Sequence, residues 1–263
     1  MKIFESVGVI RKENPLLFWV GLLHFLLAVV LLILVFVDDV QLMGVNRWIK
    51  PLKFSMSIGV YLWTFGWLLR YLTNQRTVRF ISWGITVCML VEMIIIAVQA
   101  GRGVSSHYNI SSALNATLFS VMGTFIGINS VLILHTWVLF VFGKTTLDSN
   151  MRLAWQSGLF LFLLGGLAGG MMIGNLGHNI GVPDGGDGIP LLNWSTLGGD
   201  LRSAHFFTLH GLQAIPLFAF FISAKTKQPR LFTCSFSILY TLICMQLHQL
   251  ALSGQPFIDF FSV

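Results

Sequence analysis

Charge is what this chain has least of: Asp, Glu, Lys and Arg together make up 10% of its 263 residues. A soluble domain carries about 25%. Apolar residues make up 55% and the mean hydropathy is +0.79. A soluble fold of this composition would expose large apolar patches and aggregate, whereas lipid solvates the same surface. Cysteine is also sparse. Cys88, Cys234 and Cys244 lie in apolar segments, with no metal-type spacing and no pair two residues apart. That excludes dithiol redox chemistry and leaves them as small buried hydrophobes. No phosphate-binding Gly-Lys-Ser/Thr run and no Gly-x-Ser-x-Gly elbow occurs, which excludes the usual ATPase and serine-hydrolase signatures. The last apolar run has no lysine, so a retinal Schiff base is excluded. The net charge of +6 does not indicate nucleic acid, because the basic residues sit in loops between apolar runs, where they set orientation.

What is present is a series of long apolar runs. They predict an all-α polytopic membrane helix bundle, a single integral membrane domain over 1–263 with seven transmembrane helices. The spans fall at about 16–37, 54–72, 80–100, 118–142, 153–175, 205–224 and 231–252, each able to cross roughly 30 Å of hydrocarbon. The second begins at Lys53, after Trp48-Ile49-Lys50-Pro51, a stretch that also reads as an interfacial turn. The first run is too long for a signal-peptide core and lacks a small-residue cleavage site, so it is expected to be retained. One set of loops holds eleven basic residues, Lys2, Arg11, Lys12, Arg70, Arg76, Arg79, Lys144, Arg152, Lys225, Lys227 and Arg230. The other holds five, Arg47, Lys50, Lys53, Arg102 and Arg202. The richer set belongs inside. The expectation is therefore a plasma or inner membrane protein with its N-terminus inside and its C-terminus outside, and with the lipid bilayer as its first partner.

Two outer connections are long. Residues 176–204 mix Gly and Pro turn formers with Trp, Ile and Leu, which predicts an ordered lid. Asp184-Gly-Gly-Asp187-Gly within it reads as a tight turn, because a calcium loop needs further acidic ligands. Gly166, Gly170 and Gly174 recur at spacing four, which predicts a face that a neighbouring helix approaches closely.

Ionisable side chains inside a membrane are costly and mark candidate sites. Glu92 lies past the middle of the third span, with Gln99 seven residues later on the same face. His24 and His135 fall at one level, about 10–12 Å from the inner edge. His210 and His248 fall about 6–8 Å from the outer edge. One histidine pair per leaflet has the layout of membrane cytochromes with two bis-histidine haems, so all four are candidate haem b ligands. In those cytochromes two helices supply both pairs, whereas here four helices would supply one histidine each. A Zn or Fe ion held by His205, His210 and His248, with Glu92 or Asp200 as the catalytic carboxylate, is the second option. His205 and His210 are five apart, about 140° around a helix, so a shared ion requires the helix to begin after His205 or to unwind there. The third option is a small-molecule ligand at the outer face, bound by Arg47, Lys50, Arg102, His107, His178 and Arg202.

The runs HNIGVPDGGDGIP, NWS, GGDLR and HFFTLHGLQAIP between His178 and Pro216, with VNRWIKPLKFS and AGRGVSSHYN, resemble a family of uncharacterised bacterial multi-pass membrane proteins of about seven helices. The resemblance implies no activity and supplies no catalytic residues. Three function classes stand open: a haem- or metal-dependent membrane oxidoreductase or other enzyme, a transporter or sensor, and an assembly subunit without catalysis.

Overall fold

The computed structural model describes residues 3–261, with side chains described from residue 7 onward. Lys2, counted above among the basic loop residues, lies outside them. Among the described residues there are eight α-helices and four two-residue strands. Six helices are long and apolar enough to cross a membrane. The chain divides into two compact units, residues 1–136 and 137–263.

Unit 1 begins with helix α1 (Ile3–Glu13), which the hydropathy pattern did not anticipate, and α2 (Pro15–Val37). Asn14 separates them. Its side chain caps α2 by accepting from the Leu17 N–H, and Pro15 supplies the preset φ of a first helical position. A short hairpin follows, β1 (Gln41–Leu42) and β2 (Val45–Asn46). Its two turn residues, Met43 and Gly44, both have positive φ, the conformation a two-residue hairpin turn requires. Then come α3 (Ile49–Leu69), α4 (Gln75–Gly101) and the first part of α5 (Ala113–Phe142). The expected second span therefore starts earlier than residue 54: the Trp48–Pro51 stretch leads directly into α3. With Lys50 and Lys53 in its first turns, α3 is not among the six membrane-capable helices, although its 21 residues reach far enough.

Small residues set the α2–α3 contact. A Cβ on Gly21 would lie 2.4 Å from the Trp63 ring, and one on Gly59 would lie 2.8 Å from Phe25. Trp63 donates from its indole to the Phe18 carbonyl at 3.0 Å. This interdigitation and the interhelical hydrogen bonds hold the two helices together. Asn14 donates to Ser82 on α4 at 2.7 Å, and Tyr61 on α3 donates to Asn129 on α5 at 2.9 Å.

Unit 2 contains the end of α5, α6 (Ser149–Gly174), strands β3 (Asn179–Ile180) and β4 (Gly199–Asp200), α7 (Leu201–Ser223), α8 (Pro229–Leu252) and a 3-10 turn at Phe257–Phe261. Arg152 and Gln156 donate to the Phe140 carbonyl, and Arg152 also reaches those of Val141 and Gly143, closing the C-terminal end of α5. The glycine expectation on α6 is corrected here. Gly158 and Gly165 are the close-packed positions, where a Cβ would come within 3.1 Å of Gly211 O and of Leu209 N. Gly166, Gly170 and Gly174 open onto empty space. Both sets have helical spacing, and the α7 surface selects between them.

The connection between α6 and α7 carries short pairings of its own, and the last residues of the 176–204 stretch belong to α7, which begins at Leu201. β3 pairs antiparallel with β4, and a bridge joins Gly188 to Ser195. Trp194 is buried, with its ring against Phe206, Phe207 and Phe257. Gly199 passes the end of α8 so closely that a Cβ would lie 1.9 Å from Ala251 O.

Candidate functional site

In unit 1 the polar side chains gather where α4 ends, α5 begins and the hairpin returns. Glu92 on α4 is 3% exposed. Its Oε1 lies 3.5 Å from His107 Nε2, and its Oε2 is buried with no hydrogen-bond partner. His107 sits in the connection between α4 and α5. Its Nδ1 is 3.0 Å from Ser106 Oγ, and its ring lies near those of Phe54, Tyr108 and Phe119. Lys50, at the start of α3, is within electrostatic reach of Glu92 and holds its ammonium 5.9 Å from the Phe54 ring centre.

About two turns further along α4 is a second layer. Gln99 is fully buried and donates to Asn115 Oδ1 at 3.1 Å. Arg102 donates to Gln99 Oε1 and to the same Asn115 oxygen. Asn115 donates onward to Ser111 Oγ at 3.1 Å. Buried amides are costly unless bonded, and this network bonds them while holding the Arg102 cation at the end of α4.

Arg47 serves the hairpin instead. It pairs with Asp38 at 2.5 Å and donates to Gly101 O at 3.2 Å, tying the hairpin to the end of α4. The Trp48 indole and the Val40 N–H also donate to Asp38. These bonds, Trp48 foremost and then Val40 and Arg47, hold the Asp38 carboxyl below its ordinary range.

In unit 2 the candidates are mostly tied up. Asp200 caps α7 through the Arg202 N–H, pairs with the Arg202 guanidinium at 2.6 Å and accepts from Ser195 N at 2.8 Å. Its carboxylate is buried among donors, the arrangement of a structural cap. His178 Nδ1 is 2.5 Å from Asp184. Burial works against the Asp184 charge, but that ring and the backbone N–H groups of His178 and Asn179 outweigh it and hold the pKa at about 2. His205 Nδ1 is 2.7 Å from Gly165 O, and the ring is within electrostatic reach of His178 and His210. His210 bonds Gln213 one turn along α7 and packs against Phe206 at 4.3 Å. Among the described residues no three His, Cys, Asp or Glu side chains come together as a metal would need, so the expected set of His205, His210 and His248 is not assembled.

Of the expected haem ligands, His24 is buried, with Nδ1 2.8 Å from Val20 O and Nε2 without a partner. Ser55 on α3 donates to the His24 carbonyl at 2.6 Å. His135 is exposed and lines an apolar groove on α5. The two histidines thus have different surroundings.

Sequence reading found Glu92, Lys50, Arg102 and His107 but not that Glu92 meets His107, and it missed Asp38, Asn115 and the Tyr61–Asn129 pair. The only available signal for the last was that polar side chains in lipid-embedded helices need partners. No family model, no curated protein and no solved structure matches the chain.

Proposed function

We propose that the chain is a proton-linked transporter or sensor that takes a small solute at the polar end of unit 1, with Glu92 as the exchanging group. The observation that carries the reading is the unpartnered, buried oxygen of Glu92 beside His107. An ionised carboxylate there is costly unless something neutralises it. A proton or a cationic solute arriving from the loop side does so, and His107, in the α4–α5 connection, is the group beside Glu92 on that side. The titratable groups around Glu92 are His107 from that connection, Lys50 from α3 and Cys88 one turn back on α4. α5 packs here through Leu118, Val121 and Met122, which do not titrate.

The reading includes α3 as a seventh span of one membrane domain in a plasma or inner membrane, with the N-terminus inside and the C-terminus outside. Its support is the eleven-to-five division of basic residues and the 21 residues of α3, about 32 Å of helix. The metal enzyme has less to rest on, since among the described residues the three histidines expected to share an ion are not gathered. An assembly subunit without a site would have no use for a buried carboxylate of this kind.

The test is infrared difference spectroscopy of the reconstituted protein between about pH 5 and 8, where histidine-linked switches operate. A protonated-carboxyl band is expected that Glu92→Gln abolishes and His107→Gln shifts in midpoint. Proteoliposomes with a trapped pH dye then report solute-dependent proton uptake, absent in Glu92→Gln. A protein with no carboxyl band dependent on Glu92 would end the proposal.

A further inference from the structure

α4 and α5 leave a groove of about 540 Å³ on the surface of unit 1, lined by Phe80, Gly127, Ile128, Val131, Leu132 and His135. It is independent of the Glu92 site, which lies toward the other ends of these helices. Phe80 is five residues into α4 and His135 seven residues from the end of α5. Both sit about 8–10 Å from their helix ends. Because α4 and α5, of 27 and 30 residues, are about 10–15 Å longer than the roughly 30 Å of hydrocarbon, that level lies only a few ångströms inside its edge rather than at the depth expected from the shorter spans.

We propose that this groove is a binding site for an anionic phospholipid, with an acyl chain along α5, the glycerol ester at His135 and the phosphate at Arg76. Each part of such a molecule meets a matching feature. The lining is apolar apart from one imidazole, as an acyl chain requires. A Cβ on Gly127 would meet nothing within 4 Å, so the floor of the groove is open there. His135 is exposed and has no protein partner among the described residues. An exposed imidazole in an apolar surface seeks a polar atom, and an ester carbonyl accepts its N–H. Arg76 lies one turn from Phe80 toward the helix end, on the same face of α4. Arg79 is adjacent, and both arginines are exposed with no ion pair among the described residues. Basic side chains flanking a groove between membrane helices are a common headgroup-binding arrangement. A neutral lipid would leave these cations unmatched. A soluble anion would leave the apolar groove unfilled.

The test is native mass spectrometry of the intact protein released from mixed micelles, with phosphatidylglycerol or phosphatidylcholine of identical chains as probe. One phosphatidylglycerol per chain is expected to be retained in clear preference to phosphatidylcholine. Arg76→Gln should cut that preference about fivefold, the effect of one basic residue near an anionic surface. Gly127→Leu should abolish retention by filling the groove. The open space at that position keeps the fold intact, which a thermal melt checks. His135→Gln should retain the lipid and His135→Leu should weaken it. Gly170→Leu, at another open glycine, should change nothing. Equal retention of the two lipids, or undiminished retention in folded Gly127→Leu, would overturn the proposal.

Discussion

Asp184→Asn should loosen the 176–204 connection without unfolding the helices around it. Asp184 accepts from His178 Nδ1 at 2.5 Å and from the backbone N–H groups of His178 and Asn179 at 3.0 Å. Asparagine keeps one acceptor oxygen and loses the charge. Hydrogen bonds to a charged group contribute about 1.5–3 kcal/mol each. The carboxylate is 17% exposed, so solvent takes part of that, leaving a net loss of about 1.5 kcal/mol. That is roughly a tenfold increase in local opening. Hydrogen exchange at neutral pH should show it at Asn179 and Ile180, while the 102–112 connection of unit 1 serves as internal control. The pH dependence has a definite sign. The folded pKa, at about 2, is depressed from an unfolded value of about 3.9. The stabilisation is therefore complete above about pH 5 and is lost as pH falls through 4 toward 2. Exchange corrected for its intrinsic pH dependence should rise over that window in the wild type and stay flat in Asp184→Asn. Exchange at Asn179 and Ile180 within twofold of wild type at neutral pH would mean that Asp184 does not hold this connection.

Two further substitutions test the packing. Gly165→Ala places a Cβ 2.9 Å from Leu209 Cδ2 and 3.1 Å from its backbone nitrogen. It should lower stability by about 1–3 kcal/mol in detergent melts, whereas Gly166→Ala, facing open space, should be neutral or slightly stabilising. Tyr61→Phe removes the donor that satisfies buried Asn129. It should cost about 1–3 kcal/mol, and Tyr61→Phe combined with Asn129→Leu should recover part of that loss.

The candidate site was half legible from sequence. Glu92 stood out because a carboxylate in an apolar run has a cost that something must offset. Gln99 fell on its face by helical spacing, and Arg102 followed. That His107 is the residue within reach of Glu92 depends on how the α4–α5 connection folds back, and no spacing rule fixes that path. The outer cations expected to bind ligand show the same limit. Arg47 and Arg202 turn out to be paired with Asp38 and Asp200. A sequence count shows how many charges there are but not which neutralise each other.

The sequence alone determined the six long apolar helices. Runs of about twenty apolar residues have one stable form in lipid, because every backbone group must be satisfied within its own segment. The six membrane-capable helices therefore appear where hydropathy puts them, from α2 at Pro15–Val37 to α8 at Pro229–Leu252, whereas α3 begins at Ile49, ahead of the expected residue 54. Only the tertiary structure decided which face of each helix meets protein. In α6 the glycines at 158 and 165 and those at 166, 170 and 174 are equally suited to close approach, and the shape of α7 selects the first set. Apolar residues face both lipid and protein in a membrane, so the hydrophobic pattern that marks a buried face in a soluble helix carries no such information here. Small residues and polar pairs choose the faces instead, and their partners lie far along the chain, as Asn14 with Ser82 and Tyr61 with Asn129.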